Sequence, residues 1–447
     1  MPLERLSRED AAILDLEEGP IAGHTLKVLE LAAPIDLADL RARVAARVDR
    51  VERLRQRLHP TPLGLSPPVW VDDEDFALER HVRGAGDRPV EAILAERLDR
   101  SRPLWAIDLL AGGRTVVAKL HHAWADGSTF LRVLGDVLWD EDGDPDPGAP
   151  AVWNPRPAPS REGLVAGGLA TRARSPRGVA AGVARTLGDP RRLRVGIESL
   201  AGVPGMVVRE LLPRGGPSPF AGPVGRARRV AFAAVDLSAL RAAGRALPGH
   251  VTVNDVLLAG VAAGIRTWLE SERRPVPGLR AKVPVSLHRP AGGAQDAGNR
   301  DSAMFVGLDC AEADPLRRLE VIHAETSTAK RHHDAQAFAA LLADVGAVWR
   351  PAERLLERAA SSSRAFSVNV SNVPGPRTAP SLLGARVTAL RPVVEIGEGH
   401  ALRVAAVSLG PTMHLGLTAD PDVVAGLDVL AEGTARGIDE LRAAAGA

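Results

Sequence analysis

His121-His122-Ala123-Trp124-Ala125-Asp126-Gly127 is the stretch on which the reading of this chain turns. It follows Thr115-Val116-Val117-Ala118-Lys119-Leu120, whose alternation predicts a strand. Val116, Ala118, Leu120 and His122 then share one face, and Val117, Lys119 and His121 the other. Gly127 permits a tight turn, and Leu131, Leu134 and Leu138 line one stripe of a helix predicted over 128–138. A histidine at a strand end, ahead of a turn and a helix start, is well placed for proton transfer. Its unperturbed pKa of about 6.5 leaves it largely neutral, and so a usable base, at neutral pH. Adjacent histidines on opposite faces do not readily serve one metal or one substrate, so the expected base is His122, with His121 in support. Plainer readings stand beside this one. A His-His pair alone is often structural, and Asp-Gly alone is an ordinary turn signal. His122 and Asp126 are four apart, as metal ligands can be, but no third ligand lies nearby, so no metal is expected.

Composition bounds the rest. A chain of 447 residues is long for one core and suggests two domains. With 45% hydrophobic and 25% charged residues the values are those of a globular protein. A formal net charge of +1 exerts no global pull toward nucleic acid, and with no Tyr and seven each of Trp and Phe there is little to stack on bases. Cys310 is the single cysteine, which rules out an intrachain disulfide and suits a reducing cytoplasm. No activating signature surrounds it, so it reads as structural. Met1-Pro2-Leu3-Glu4-Arg5 lacks the apolar core of a signal peptide, and the apolar run 251–265 is broken by Asn254 and Asp255. Nothing reaches the roughly 18 apolar residues a spanning helix needs. The expectation is a cytoplasmic protein, soluble or peripheral at the inner membrane face.

The organisation reads as two mixed α/β halves, 1–140 and 225–447, joined by a connector over 141–224. The first half is predicted as a short helix and strand over 6–31, a helix over 35–58, extended pieces around Trp70 and His81, and a helix over 89–98. The strand, the histidines and their helix follow. Prolines 145, 147, 150, 155, 157 and 159 mark the start of the connector, whose continuation over 162–212 is basic and weakly amphipathic. Such a segment either rests on anionic lipid or is a solvated link. In the second half Thr252 is a good N-cap for a helix over 253–269. Asn254 and Asp255 lie in its first turn, where the helix dipole favours an acid and capping alone accounts for Asp255. Strands are predicted over 229–235, 279–285, 366–370, 386–390, 402–409 and 414–417, and helices over 237–246, 316–348 and 421–444. His332-His333-Asp334 lacks the continuation of the first pair and reads as a charged helix face. No phosphate loop and no Gly-x-Ser-x-Gly elbow occurs.

The His-His-x-x-x-Asp-Gly pattern resembles that of the CoA-dependent acyltransferases, which include chloramphenicol acetyltransferase and peptide-synthetase condensation domains. Further blocks are similar to one branch, the bacterial wax ester synthase/diacylglycerol acyltransferases. They are Pro103-Leu104-Trp105, Val253-Asn254-Asp255-Val256, Val283-Pro284-Val285-Ser286, Gly298-Asn299-Arg300 with 302–306, and Asn372-Val373-Pro374-Gly375-Pro376. Their order and spacing match from about residue 6 to about residue 430.

The resemblance implies an α/β fold of the α+β type: two chloramphenicol-acetyltransferase-like domains with the active site in a tunnel between them. It implies an O-acyltransferase that moves a long-chain acyl group from acyl-CoA to diacylglycerol, giving triacylglycerol, or to a fatty alcohol, giving wax ester. Acyl-CoA is then a substrate, and no cofactor is required. The partners are acyl-CoA and a lipid alcohol, met at a membrane or lipid-droplet surface, and not nucleic acid. His122 is the implied general base, with His121 and Asp126 beside it. Gly127, Asn254 and Asp255 support the site, and Pro103, Leu104 and Trp105 line the substrate tunnel. In the superfamily the Asp pairs with an Arg that follows a Pro-Val segment. Here His288 stands in that register and Arg289 one place later, so either is the expected partner of Asp126. Two other functions remain open: a same-fold acyltransferase acting on a specialised metabolite or a carrier-protein thioester, and a non-catalytic lipid-binding protein.

Overall fold

The computed structural model describes residues 4–15, 17, 19–141, 153–170, 217–245, 247–286, 301–331 and 360–446. His288, Arg289, the 298–300 block, the second His-His pair and most of the basic connector lie outside these residues.

In the first half, helix α1 (Arg8–Asp15) leads into β1 (His24–Leu31), followed by α2 (Leu37–Arg47), β2 (Gln56–His59), β3 (Val69–Asp72) and β4 (Val82–Gly86). Next come α3 (Val90–Ala95), β5 (Trp105–Leu110), β6 (Thr115–His121) and α4 (Gly127–Leu138). The helix expected over 35–58 stops at Arg47. Two short 3-10 turns follow, and then β2 pairs antiparallel with β3 through Leu58 and Trp70, so a strand partner overrides the local helical pattern. Three further strands are absent from the sequence reading, β5 here and β9 and the two-residue β11 below.

The second half holds β7 (Arg229–Asp236), α5 (Leu237–Gly244), α6 (Val253–Ser271), β8 (Leu279–Ser286), β9 (Asp301–Leu308) and α7 (Pro315–Arg331). It continues with β10 (Val368–Val373), β11 (Ser381–Leu382), β12 (Ala385–Val394), β13 (Leu402–Leu409), β14 (Thr412–Ala419) and α8 (Leu427–Ala444). The main strands form two six-stranded sheets, ordered β11-β12-β1-β6-β5-β4 and β7-β14-β13-β10-β8-β9. A boundary near residue 225 therefore separates most of the two sheets but not all. β11 and β12, from late in the chain, return to the first sheet, and β12 pairs along β1 from Thr25↔Val394 to Leu31↔Val387.

The alternation of β6 sorts its side chains as the sequence predicts. Val116, Ala118 and Leu120 enter the core that α2 and α4 cover, whereas Val117 packs with Ile93 and Leu94 of α3. Lys119 follows Val117 to that second face. Although buried, its ammonium is held by the carbonyl oxygens of Ile93, at 2.8 Å, and Glu96, at the C-terminal end of α3, where a cation is favoured. In the second half α6 and α8 pack closely because small residues face each other: a Cβ on Gly437 would lie 2.3 Å from Cβ of Ala263. Cys310 is fully buried, and burial pushes its thiol up to about 12, as a structural cysteine requires.

Candidate active site

β6 ends at His121, and the chain then turns through Ala123, Trp124 and Ala125, all buried in the first core, into α4. The buried turn is closed by the Trp124 N–H donating to the His121 carbonyl at 2.9 Å. The His122 N–H donates to the Gly23 carbonyl at 2.7 Å, which fixes the residue just beyond the strand against the start of β1.

The two histidines have different surroundings. His121 is fully buried, and its Nδ1 accepts from the Ala123 N–H at 3.0 Å, so the ring proton sits on Nε2. Nε2 faces the Glu17 carboxylate at 3.6 Å. Burial pushes that carboxyl up, but the His121 ring and then Arg100 outweigh it and hold it down at about 2. Gly23 completes this wall, since a Cβ there would lie 2.7 Å from His121 Nε2. His122 lies on the other face. Burial, and then the Arg403 guanidinium, push its ring down to about 4, so it is neutral at physiological pH. His121 is thus hydrogen-bonded at Nδ1 and set against the Glu17 carboxylate at Nε2, while His122 feels the charge of Arg403 from the second half.

Asp126 is the N-cap of α4. Its Oδ1 accepts from the Thr129 N–H at 2.7 Å and from the Ser128 hydroxyl at 2.8 Å. Asp126→Ala is expected to cost about 1–2 kcal/mol in denaturant unfolding from the lost cap alone, and to lower turnover by loosening the turn that carries His122. An inactive variant of unchanged stability would instead give the carboxylate a chemical role. Gly127 is not the turn glycine the sequence suggests: it is the first residue of α4. Its smallness answers a close approach, because a Cβ would lie 2.9 Å from Cγ2 of Val373 at the end of β10. The Asn372-to-Pro376 block of the second half thus closes directly on the histidine motif.

The remaining predicted residues are more dispersed. Asp255 is fully buried and forms a capping box with Thr252. It also accepts from the Thr326 hydroxyl at 2.8 Å and meets His323 Nδ1 at 3.0 Å, pinning α6 to α7. Asn254 is half-buried in the same first turn. Pro103 and Leu104 are buried, and Trp105 donates from Nε1 to the Leu54 carbonyl at 2.7 Å while stacking on His81. Trp105 also borders a small apolar cavity of about 20 Å³ between the first sheet and α4, lined by Leu120, Phe130 and Leu134 among others.

Sequence reasoning missed Glu17, Gly23 and Arg403, which reach the site from distant parts of the chain. One signal was available. Arg403 is the sole charged residue in the otherwise apolar strand Leu402–Leu409, and Lys27 similarly interrupts apolar positions of β1. Lys27 is buried and Arg403 partly so: burial, then Arg403, brings Lys27 down to about 8, and burial lowers Arg403 to about 10. Among the described residues no helix is long and apolar enough to cross a membrane.

Comparison with known proteins agrees with this architecture. The sequence profile of the wax ester synthase/diacylglycerol acyltransferase catalytic domain matches residues 6–257, and that of the family's C-terminal domain matches residues 297–442. A Mycobacterium tuberculosis protein named as a diacylglycerol O-acyltransferase is 33% identical over 99% of this chain and 98% of its own. Among solved structures, the wax ester synthase/diacylglycerol acyltransferase from Marinobacter aquaeolei VT8 is similar in fold. It has a TM-score of 0.65 at 23% identity, covering 99% of this chain and 100% of that one. The first condensation domain of the calcium-dependent antibiotic synthetase is also similar, with a TM-score of 0.64 at 18% identity, covering 100% and 98%. Paired sheets, a histidine motif at their junction and profile matches along both halves place the chain in the wax ester synthase/diacylglycerol acyltransferase family.

Proposed function

We propose that this acyltransferase moves a long-chain acyl group from acyl-CoA to a lipid alcohol, with His122 as the general base. The observation that carries the reading is the state of His122: a partly buried, neutral imidazole just beyond the end of β6, beside a partner histidine already committed to structure. The alcohol O–H gives its proton to His122 as its oxygen attacks the thioester carbon. The tetrahedral intermediate then collapses, the C–S bond breaks, and the imidazolium returns the proton to the departing thiolate. The products are an ester and free CoA thiol, so the reaction balances without a resident cofactor or a covalent acyl-enzyme. General base action supplies about 10²–10⁴-fold, and positioning of the two substrates between the halves supplies much of the remainder. In this reading the lipid acceptor arrives from a membrane or droplet surface.

Release of CoA thiol and formation of ester are expected when purified protein meets palmitoyl-CoA with diacylglycerol or hexadecanol in vesicles. Without an acceptor, thiol release should fall to background. Thiol release independent of acceptor would point to hydrolysis, and no release with any acceptor would favour lipid binding without catalysis.

A further inference from the structure

The second sheet turns one face to its own helices and the other toward the first half. Along β8, β10 and β13, Val283, Val368, Val370 and Val404 are buried in the second core. The residues between them keep partial access: Lys282, Asn369, Ser371 and Arg403. Strand register sets Thr418, Arg403, Asn369 and Lys282 side by side on β14, β13, β10 and β8. This face is the one that sends Val373 and Val407 against the first half's core, so the polar row looks into the junction where His122 lies.

Three members of the row each carry a buried polar atom with no hydrogen-bond partner among the described residues. They are Thr418 Oγ1, Arg403 Nε and Asn369 Oδ1. Arg403 is anchored at its far end, where Nη1 donates to the Glu395 carbonyl at 3.2 Å, so its Nε–H is held in place and left over. The Arg403 charge acts on both Lys27 and His122, which puts the row within electrostatic reach of the candidate base. Neighbouring buried polar atoms left unpaired cost stability, and a cluster of them calls for an occupant. The chemistry of that occupant is constrained. A hydroxyl accepts from Arg403 Nε–H, donates to Asn369 Oδ1 and exchanges either role with Thr418, and an ester oxygen satisfies Arg403 and Thr418. A hydrocarbon chain satisfies none of them.

We propose that the Thr418–Arg403–Asn369 row is an acceptor-specificity subsite, holding a second oxygen function that the acceptor alcohol carries close to its reacting hydroxyl. The inference rests on the acyltransferase reading for the identity of the reacting hydroxyl. It implies that the protein discriminates polyoxygenated alcohols, with partial esters of polyols among them, from simple long-chain alcohols. A site built to hydrogen-bond a substrate oxygen rejects analogues that lack it, because its own polar groups are then stranded.

The test is calorimetric binding of 1-octanol and octane-1,2-diol to the full chain. The diol is expected to bind at least about tenfold more tightly to the wild type, on the scale of one additional buried hydrogen bond. Arg403→Met should bring the two ligands to within about twofold, and the near-isosteric Thr418→Val should reduce the preference without emptying a large volume. Equal affinities in the wild type would mean that the row holds only water, and a preference that survives both variants would place the diol elsewhere. Either result overturns the subsite. Acyl transfer measured alongside separates the two ideas. A diol preference without ester formation from any acceptor sinks the acyltransferase reading and leaves the subsite standing, whereas equal binding with ester formed equally from both alcohols sinks the subsite alone.

Discussion

His122→Ala is expected to lower turnover by about 10²–10⁴-fold, the contribution of a positioned general base, while the variant stays folded, with its unfolding midpoint near that of the wild type. The pH profile carries a second expectation. Burial and the Arg403 charge hold the imidazole down at about 4, so the ring remains neutral well below the usual histidine range. Activity should therefore stay flat through pH 6.5 and fall on the acid side only as pH approaches 4. Stability follows the same group with a definite sign. The ring is harder to protonate folded than unfolded, so its stabilising contribution is complete above the unfolded pKa of about 6.5 and is lost as pH falls from there toward 4. His24, fully buried and also well below its ordinary value because of burial, adds to that acid sensitivity. Rates of acyl transfer between pH 4 and 9, with circular dichroism at each pH, separate the two effects. An activity limb near pH 6.5 in folded protein, or near wild-type turnover in His122→Ala, would remove His122 from the role of base.

Gly416→Ala is the substitution expected to damage the fold most. A Cβ at that position of β14 would sit 1.6 Å from the Pro392 carbonyl oxygen of β12, where the two sheets meet. β14 is hydrogen-bonded on both sides, to β13 and β7, and cannot retreat. β12 would have to move instead, and β12 is paired with β1, which pairs with β6 and so bears on His121 and His122. Overpacking of this kind costs about 3 kcal/mol or more when the neighbour is backbone. Urea unfolding should show it, together with a loss of activity in whatever fraction remains folded. Gly278→Ala, where the added methyl meets nothing within 4 Å, serves as the control and should change stability by no more than about 0.5 kcal/mol. Similar stabilities for the two variants would mean that the sheets do not press together at Gly416.

Local periodicity carried much of the fold. The alternation through Thr115–Leu120 put His121 and His122 on opposite sides of the sheet, and the apolar strand Leu402–Leu409 was read with its observed ends. What failed was partnership. β2 was absorbed into a helix because its partner β3 is supplied from beyond a turn, and β5 went unread beside the Pro103-Leu104-Trp105 block. Nothing in residues 385–394 indicates that they pair with β1 rather than with strands of their own half. The site divides in the same way. His121, His122, Asp126 and Gly127 are contiguous and legible, whereas Glu17, Gly23 and Arg403 meet them only through long-range register. The need for smallness at Gly127 comes from Val373, some 250 residues away, which no local pattern shows.

The return of β12 to the first sheet also constrains how the chain can be made. Until residue 394 has left the ribosome, the edge of β1 is open, with its backbone donors and acceptors unpaired along seven positions. The histidine motif is synthesised early but seated late. Such long-range closure slows folding, and an uncovered strand edge is a template for wrong pairing. A fragment ending at residue 257, although it contains the whole profile-matched catalytic region, is therefore born with one flank of its central sheet missing. Its natural failure is aggregation during synthesis rather than a soluble enzyme of reduced rate.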